Sequence, residues 1–524
     1  MIREEIKNLV EKAVEDLYKI DVPVRAERPQ DSAFGDYATN IAMMLKKNPQ
    51  EIAAAIKSPI LEKIEVKNGF INFFLSKEYL QKQVKEILKK KEKFGELKIG
   101  KGQKVNVEFI SANPTGELHL GHGRGAFFGD ALAGILEKSG NKVIREYYIN
   151  DAKNSTQIKE LGKTALGKGV TYLNDCLRSQ IAKLEPKLKK MTDEGEAGYL
   201  LAQEIHKDIK NFIENKLKIN FDKWISEEDL YRENRVDKIY NWLKNKNLTY
   251  KKEGAEWLKT SNFGDSKDWV IVRETGEPTY LLSDIAYHKD KFDRGFDKII
   301  NIWGADHQGH VGKIKAVAKI LNYKGDLDIL ISQVVRLKKG KISKREGKVV
   351  TLKWLMDEVG LDAARFFYLM KTLDTQMEFD VELAKERSQK SPVYYVQYAH
   401  ARICSIIRKF GNSKLQKEPR RAAGWWKGWS PNYRILNHAS ELNLVKQLIR
   451  LPEVVADTSK DYQVQRLPQY ALDLATAFHQ FYRDCRVISD DKKLTQARLS
   501  LVLAAKTVLK NTLDLMGISA PEKM

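Results

Sequence analysis

His119 and His122 stand three apart in the stretch Val105 to Gly125, V-N-V-E-F-I-S-A-N-P-T-G-E-L-H-L-G-H-G-R-G. On a helix that spacing puts both imidazoles on one face. A strand, a loop carrying Pro114 and Gly116, and a helix opening at the histidines would aim ring N–H groups and free backbone amides at one anion. A phosphoryl-type transition state needs such donors, because its charge spreads over equatorial oxygens that fixed groups must meet. Gly121 would let a flat ring lie against the helix backbone, and Gly116, Gly123 and Gly125 would permit close approach. More than two hundred residues later, Lys341 and Lys344 lie in K-I-S-K-R between Gly340 and Gly347. A bare charge run is usually solvated surface. This one follows a strand end at Val334-Val335 and precedes V-V-T-L, which places it at the carboxyl edge of a sheet, where ligands bind in open α/β folds. Its ammonium groups would neutralise a departing pyrophosphate.

Two other patterns carry less. G-E-L-K-I-G-K-G at Gly95 to Gly102 fits a phosphate-loop spacing, but it lacks the hydroxyl residue that would hold magnesium and it precedes a strand, so it reads as linker. His119, His122, His307 and His310 could in principle chelate zinc. Neither pair is an H-E-x-x-H and no cysteine stands near, so no structural metal is expected.

The elements that must position these groups follow from pattern. Ile2, Ile6, Leu9, Ala13 and Leu17 repeat at helical spacing, and a second helical run lies near Ala38 to Leu45. Gly69 to Leu75 reads as a buried strand, and the lysine- and glycine-dense Lys89 to Lys104 as a linker closing a first domain of residues 1–100. From Val105, strands at 105–110, 142–149, 298–303 and 328–334 alternate with amphipathic helices. That is an α/β fold with a helix-covered parallel sheet over 104–360, interrupted by a largely helical, charged insertion at about 150–297. After Leu361 the pattern is helical, implying an all-α bundle over 361–524. Trp425, Trp426 and Trp429 crowd a segment that reads either as an exposed aromatic surface or as a loop packed on the bundle.

Lys and Arg number 91 against 70 acidic residues, a net charge of +21 with a pI near 9.4. That favours a polyanionic partner, nucleic acid or membrane surface. No window approaches eighteen uncharged apolar residues, so no bilayer span is expected. Cys176, Cys404 and Cys485 are widely separated and odd in number, which fits a reducing, cytoplasmic setting.

The two signatures resemble the H-I-G-H and K-M-S-K-S strings of class I aminoacyl-tRNA synthetases. The wording around them is similar to the arginine enzymes nearly end to end: E-F-I-S-A-N-P-T-G-E-L-H-L-G-H, Y-L-L-S-D-I-A-Y-H-K-D-K-F, I-N-I-W-G-A-D-H-Q-G-H, P-V-Y-Y-V-Q-Y-A-H-A-R-I and L-D-L-M-G-I-S-A-P-E-K-M. The resemblance implies a Rossmann-type catalytic domain, a small α+β N-terminal domain touching the tRNA corner, and a helical anticodon domain. It implies ATP with its Mg2+, L-arginine and arginine tRNA as partners, with no membrane and no required protein partner. Activation would give arginyl-adenylate, then attack by the terminal 2′-hydroxyl of tRNA; the substrate carboxylate is already the nucleophile, so positioning matters more than acid–base chemistry.

By the same resemblance His119, His122, Lys341 and Lys344 are catalytic, and Gly116, Gly121 and Ser343 join them around ATP. Glu108, Asn113, Tyr280 and Asp284, with His307 nearby, would hold arginine; carboxylates suit the fixed fork of a guanidinium. Lysine would leave acceptors unpaired, a penalty of about 4 to 5 orders of magnitude at a buried site. Phe70 and Asn72 would meet an unpaired tRNA base, unless Phe70 merely ends a buried strand. Tyr394, Gln397, Tyr398, His400 and Arg402 would face the anticodon. The stretch after Asp151 is two residues longer than in many relatives, and Ile342 and Arg345 depart from the second signature. Rival readings are another class I synthetase, such as the cysteine enzyme, and a catalytically silent RNA-binding module.

Overall fold

The computed structural model describes residues 1–338, 350–411 and 431–524. Its first helix, Ile2–Tyr18, buries Ile2, Ile6, Val10, Ala13 and Val14. The expected stripe is there but rotated, so that Leu17 is exposed. The helical run expected from Ala38 splits instead into strand β1 (Tyr37–Thr39) and a helix Ile41–Leu45. With β2 (Leu61–Lys67) and β3 (Phe70–Leu75), β1 forms an antiparallel sheet in the order β1-β3-β2.

This small unit is fastened to the far end of the chain. Glu453 accepts from the Tyr37 hydroxyl at 2.6 Å, from Arg28 Nε at 3.1 Å and from the Arg3 amide at 3.1 Å. The Lys89–Lys104 stretch begins as the end of a helix, Lys77–Lys90, and continues as turns. It is also anchored, since Asn511 Nδ2 donates to Lys91 O and Phe94 O at 3.1 Å each.

The main sheet contains β4 (Lys104–Glu108), β5 (Lys142–Ile149), β6 (Lys223–Ser226), β10 (Lys298–Gly304) and β11 (Asp326–Ser332), all parallel, in the order β11-β10-β4-β5-β6. Edge strand β6 had no clear sequence signal, being four residues long and half-exposed. The insertion also differs from a purely helical reading. It carries an antiparallel sheet of β7 (Thr249–Lys252), β8 (Ala255–Leu258) and β9 (Trp269–Val272), whose short strands lack a two-residue period long enough to read.

Chain order runs outward from β4 to β5 and β6, then returns to β10 and β11 on β4's other side. The switch point therefore lies between β4 and β10, and the crevice beyond their carboxyl ends is the default ligand site. The helix Leu120–Lys138 follows β4 and packs on it closely, because a Cβ at Gly129 would overlap the Phe109 ring. Beyond β11, β12 (Val335–Leu337) pairs in parallel with β13 (Met377–Phe379).

Apart from β13, the described residues from 350 onward form helices at Leu352–Val359, Leu361–Leu369, Val381–Lys385, Pro392–Gly411, Ala439–Leu448, Leu451–Asp461, Arg466–Asp484 and Lys492–Leu515. Arg365, 1% exposed, ties this bundle to the sheet domain by pairing with Asp130 at 2.7 Å while donating to Leu217 O and Met516 O.

Candidate active site

The chain leaves β4 through Ile110 (φ 69°) and Ser111 (φ 40°), both left-handed. For a β-branched residue that is a strained conformation, of the kind held only where surrounding structure enforces it. His119 then caps the helix Leu120–Lys138. Its Nδ1 accepts from the Gly121 amide at 3.1 Å, and its own amide donates to His122 Nδ1 at 3.1 Å. The rings stack with centroids 3.8 Å apart.

With both Nδ1 atoms accepting, the proton of each neutral ring sits on Nε2. Neutrality is enforced: burial and the neighbouring His119 push His122 down to about 3, and burial lowers His119 as well. The first-turn amides expected to face an anion are largely spent. Leu120 N donates to Val350 O, Gly121 N to His119, and His122 N to His119 O. The two ring Nε2–H groups remain as donors beside those spent amides. Gly121 is required here, since a Cβ would lie 2.9 Å from His119 Cε1. Gly116 stands in the loop ahead of them, where a Cβ would meet only Asn174, at 3.8 Å.

The segment leaving the lysine-bearing stretch runs against this loop. His119 and Thr351 form an antiparallel bridge, flanked by Leu120 N to Val350 O at 3.2 Å and Leu352 N to Leu118 O at 2.7 Å. Lys341, Ser343 and Lys344 themselves lie outside the described residues, as do Trp425, Trp426 and Trp429.

Asp284, on the helix Tyr280–Asp293, and Glu227, at the start of the helix Glu227–Arg232, form a buried acidic pair, with Lys313 and Lys291 acting on Asp284. Asp284 is pushed up to about 8 by burial and by the charges of Glu227 and Glu108. Glu227, 3% exposed, is pushed up to about 7, chiefly by burial. It accepts from Ser283 Oγ at 2.6 Å. Glu227 also lines a cleft with Tyr231, Arg273, Glu277 and Tyr280. Sequence reading missed Glu227. It sits in a run of acidic residues, E-E-D, that passes for a solvated helix start, and only its burial distinguishes it.

Tyr280 is 41% exposed at the rim, where its hydroxyl accepts from the Thr156 amide at 3.0 Å. The elongated stretch after Asp151 therefore does reach the pocket. Asn113 is exposed in the loop before His119, and His307 is exposed in the turn Ala305–His310 after β10, beside Asp306 at 3.4 Å.

Glu108 behaves differently from the other acidic candidate. One oxygen holds the Lys291 ammonium at 2.5 Å and the other accepts from Ser111 Oγ at 3.0 Å. Lys291 is wholly buried and also donates to Asn301, while Glu146 beside it takes Arg294 through both oxygens at 2.5 and 2.9 Å. Glu108 is thus spent on an internal cation, which leaves Asp284 and Glu227 as the neighbouring carboxyls that burial pushes up.

Three family models match in order along the chain. "Arginyl tRNA synthetase N terminal domain" matches residues 2–75, "tRNA synthetases class I (R), catalytic domain" 83–159 and 177–406, and "DALR anticodon binding domain" 396–524. An arginine–tRNA ligase of Carboxydothermus hydrogenoformans is 41% identical over 95% of this chain and 94% of its own length. One of Bacillus velezensis is 41% identical over 100% and 98%. The chain belongs to the arginyl-tRNA synthetase family. The solved arginyl-tRNA synthetase of Thermus thermophilus shares the fold, with a TM-score of 0.78 at 22% identity over all of both chains.

In this arginyl-tRNA synthetase family member, the residues expected to face tRNA are unequally placed. Phe70 is 41% exposed at the start of β3, whereas Asn72 is 2% exposed and paired within the sheet. On the helix Pro392–Gly411, Tyr394 and Tyr398 stack in parallel at 6.1 Å, and Arg402 lies 5.0 Å over Tyr398 and 4.9 Å over Tyr482. His400, 1% exposed, is bound to Pro521 O at 2.9 Å, and Gln397 donates to Asp362 and Ser519. The structure therefore puts His400, Asn72 and the Gln397 amide to internal use. The Tyr394–Tyr398–Arg402 face is the group left at least partly open.

Proposed function

We propose that this chain is an arginine–tRNA ligase that activates L-arginine with ATP to arginyl-adenylate and then esterifies the 3′ end of arginine tRNA. The observation that carries this reading is the bridge between His119 and Thr351, which holds the segment following the lysine signature against the loop that ends at the histidine signature. The buried carboxyls Asp284 and Glu227 would suit a guanidinium.

In the first step the arginine carboxylate attacks the α-phosphorus of ATP, and the bond to the bridging oxygen breaks to release pyrophosphate. Charge builds on the α-phosphate, where the Nε2–H groups of His119 and His122 would donate. Lys341, Ser343 and Lys344 would follow the leaving phosphates. In the second step the terminal 2′-hydroxyl attacks the carbonyl carbon and AMP leaves. Asp284, Glu227 and Tyr280 would hold the side chain of arginine, with Asn113 and His307 at the mouth and Gly116 and Gly121 giving ATP close approach.

Mg2+ would arrive with ATP. That ion is usually held by substrate phosphates plus one or two carboxylates. The +21 charge suits a polyanionic partner. The Phe70 strand end and the Tyr394–Tyr398–Arg402 face would meet the tRNA. Cytoplasmic action without a required protein partner belongs to the same reading, and three free cysteines suit a reducing compartment.

Charging total tRNA with each of the twenty amino acids tests the assignment. Arginine alone should be esterified, and equal charging with lysine or cysteine would overturn it.

A further inference from the structure

Tyr148, near the end of β5, is 5% exposed, yet its hydroxyl is buried without a hydrogen-bond partner. Its neighbours are satisfied: Tyr147 donates to Ala112 O at 3.2 Å and Tyr287 to Glu146 at 2.8 Å. A buried hydroxyl left unpaired costs free energy that a phenylalanine would avoid. The position is also tightly built. The Tyr148 ring stacks on Tyr287 with centroids 4.1 Å apart, and its amide donates to Ser111 Oγ at 3.1 Å. Tyr287 lies one helical turn beyond Asp284, so the stacked ring is set beside the acidic pair.

We propose that the Tyr148 hydroxyl is a specificity-determining contact for the substrate guanidinium, completing the acceptor set formed by Asp284 and Glu227. The inference rests on reading that pair as the arginine subsite, and it adds a residue that sequence patterns gave no reason to choose. A guanidinium presents five N–H donors and no acceptor, whereas a lysine ammonium presents three on a single centre. Glu227 already receives Ser283 on one oxygen. A phenol oxygen can accept from the guanidinium while donating its proton to a carboxylate, which relieves its own unmet hydrogen bond as ligand binds. The phenol stays protonated for this task, since burial and the charges of Glu227, Asp284, Tyr231 and Glu108 all oppose its ionisation.

The test is Tyr148→Phe, which keeps the stacking ring and removes only the oxygen. Titration calorimetry of L-arginine into the full chain should give a dissociation constant raised about tenfold, the effect of losing one hydrogen bond to a charged group. The ligand-free melting temperature should be unchanged or higher, because an unsatisfied polar group is gone. An arginine affinity within about twofold of the parent, with melting preserved, would overturn the proposal. A lowered melting temperature would assign the hydroxyl a packing role and overturn it as well. Asp284→Asn, measured alongside, separates the two levels. If it weakens arginine binding and Tyr148→Phe does not, the pocket reading stands and the tyrosine falls; if Asp284→Asn has no effect, both fall.

Discussion

The amide of Leu352 donates to the carbonyl of Leu118 across 2.7 Å, stitching the chain that leaves the lysine-bearing stretch onto the loop that ends at His119. A backbone bond of this kind is indifferent to side chains, but it is sensitive to what separates the two segments. Gly123 sits beneath the contact. A Cβ there would lie 2.7 Å from Leu352 Cδ1 and 3.0 Å from Tyr368 Cζ, and Tyr368 in turn donates to Leu120 O at 2.9 Å.

Gly123→Ala should therefore overpack the joint between the signatures. The expected cost is about 1–3 kcal/mol of stability. Activation should slow at least about tenfold, because sub-ångström misplacement of transition-state donors is expensive. Pyrophosphate exchange with tRNA present, set against urea unfolding, checks both, and an unimpaired rate would mean that the joint does not align the site.

Lys344→Ala should cut the activation rate by at least about a hundredfold, the usual scale for losing one charge contact made in the transition state. Arginine affinity should hardly change. Single-turnover adenylate formation is the relevant measurement, and an unchanged rate would remove the lysine stretch from the mechanism.

Arginine binding should tighten as pH rises. Asp284 and Glu227 titrate at about 8 and about 7, above the ordinary carboxylate range of an unfolded chain. Between about pH 4 and 8 the folded protein thus holds more protons than the unfolded one, so this pair's contribution to stability is greatest at low pH and falls as pH rises. A bound guanidinium requires the ionised pair. Affinity should improve by up to about a hundredfold per pH unit below about pH 7, where both carboxyls are protonated, by up to about tenfold between about pH 7 and 8, and level off above. Calorimetry in buffers of different ionisation heat should detect proton release near pH 7. A flat profile, or preserved discrimination against lysine in Asp284→Asn, would count against the carboxylate assignment.

Lys291→Met should be among the most damaging changes away from the substrate groups. It leaves Glu108 buried without its cation, and breaking one side of a buried pair costs about 3–5 kcal/mol. Adding Glu108→Gln should recover part of the loss in chemical unfolding. If the single variant is as stable as the parent, the pair does not hold β4 and the Tyr280–Asp293 helix together.

Much of this architecture was legible in the chain itself. The strand at 142–149 was placed to the residue, and β4, β10 and β11 within two residues at each end, because each is rich in β-branched or aromatic residues and follows a glycine-bearing turn. The short edge strand β6 and the β7–β9 sheet were not legible, since four-residue strands carry too little period to separate from loop. The two histidines were legible because their spacing and the glycines around them mean little outside a helix start. Glu227 and Tyr148 were not, because a carboxylate in an acidic run looks ordinary until its burial is seen, and a tyrosine in a strand until its unpartnered hydroxyl is.

The sequence by itself determined the layers, the order of the domains and the chemistry on offer: imidazoles, ammonium groups and carboxylates at spacings set by local backbone geometry. Tertiary structure decided which of those groups are spent and which are available. It gave Glu108 an internal lysine, used the Leu120 amide to fasten the 350–352 segment, raised the titration of Asp284 and Glu227 by burial, and left the Tyr148 hydroxyl without a partner. The physical reason is that spacing fixes only neighbours within a turn or a strand. Hydrogen-bond satisfaction and desolvation are settled between residues far apart in the chain, and they belong to the packed molecule.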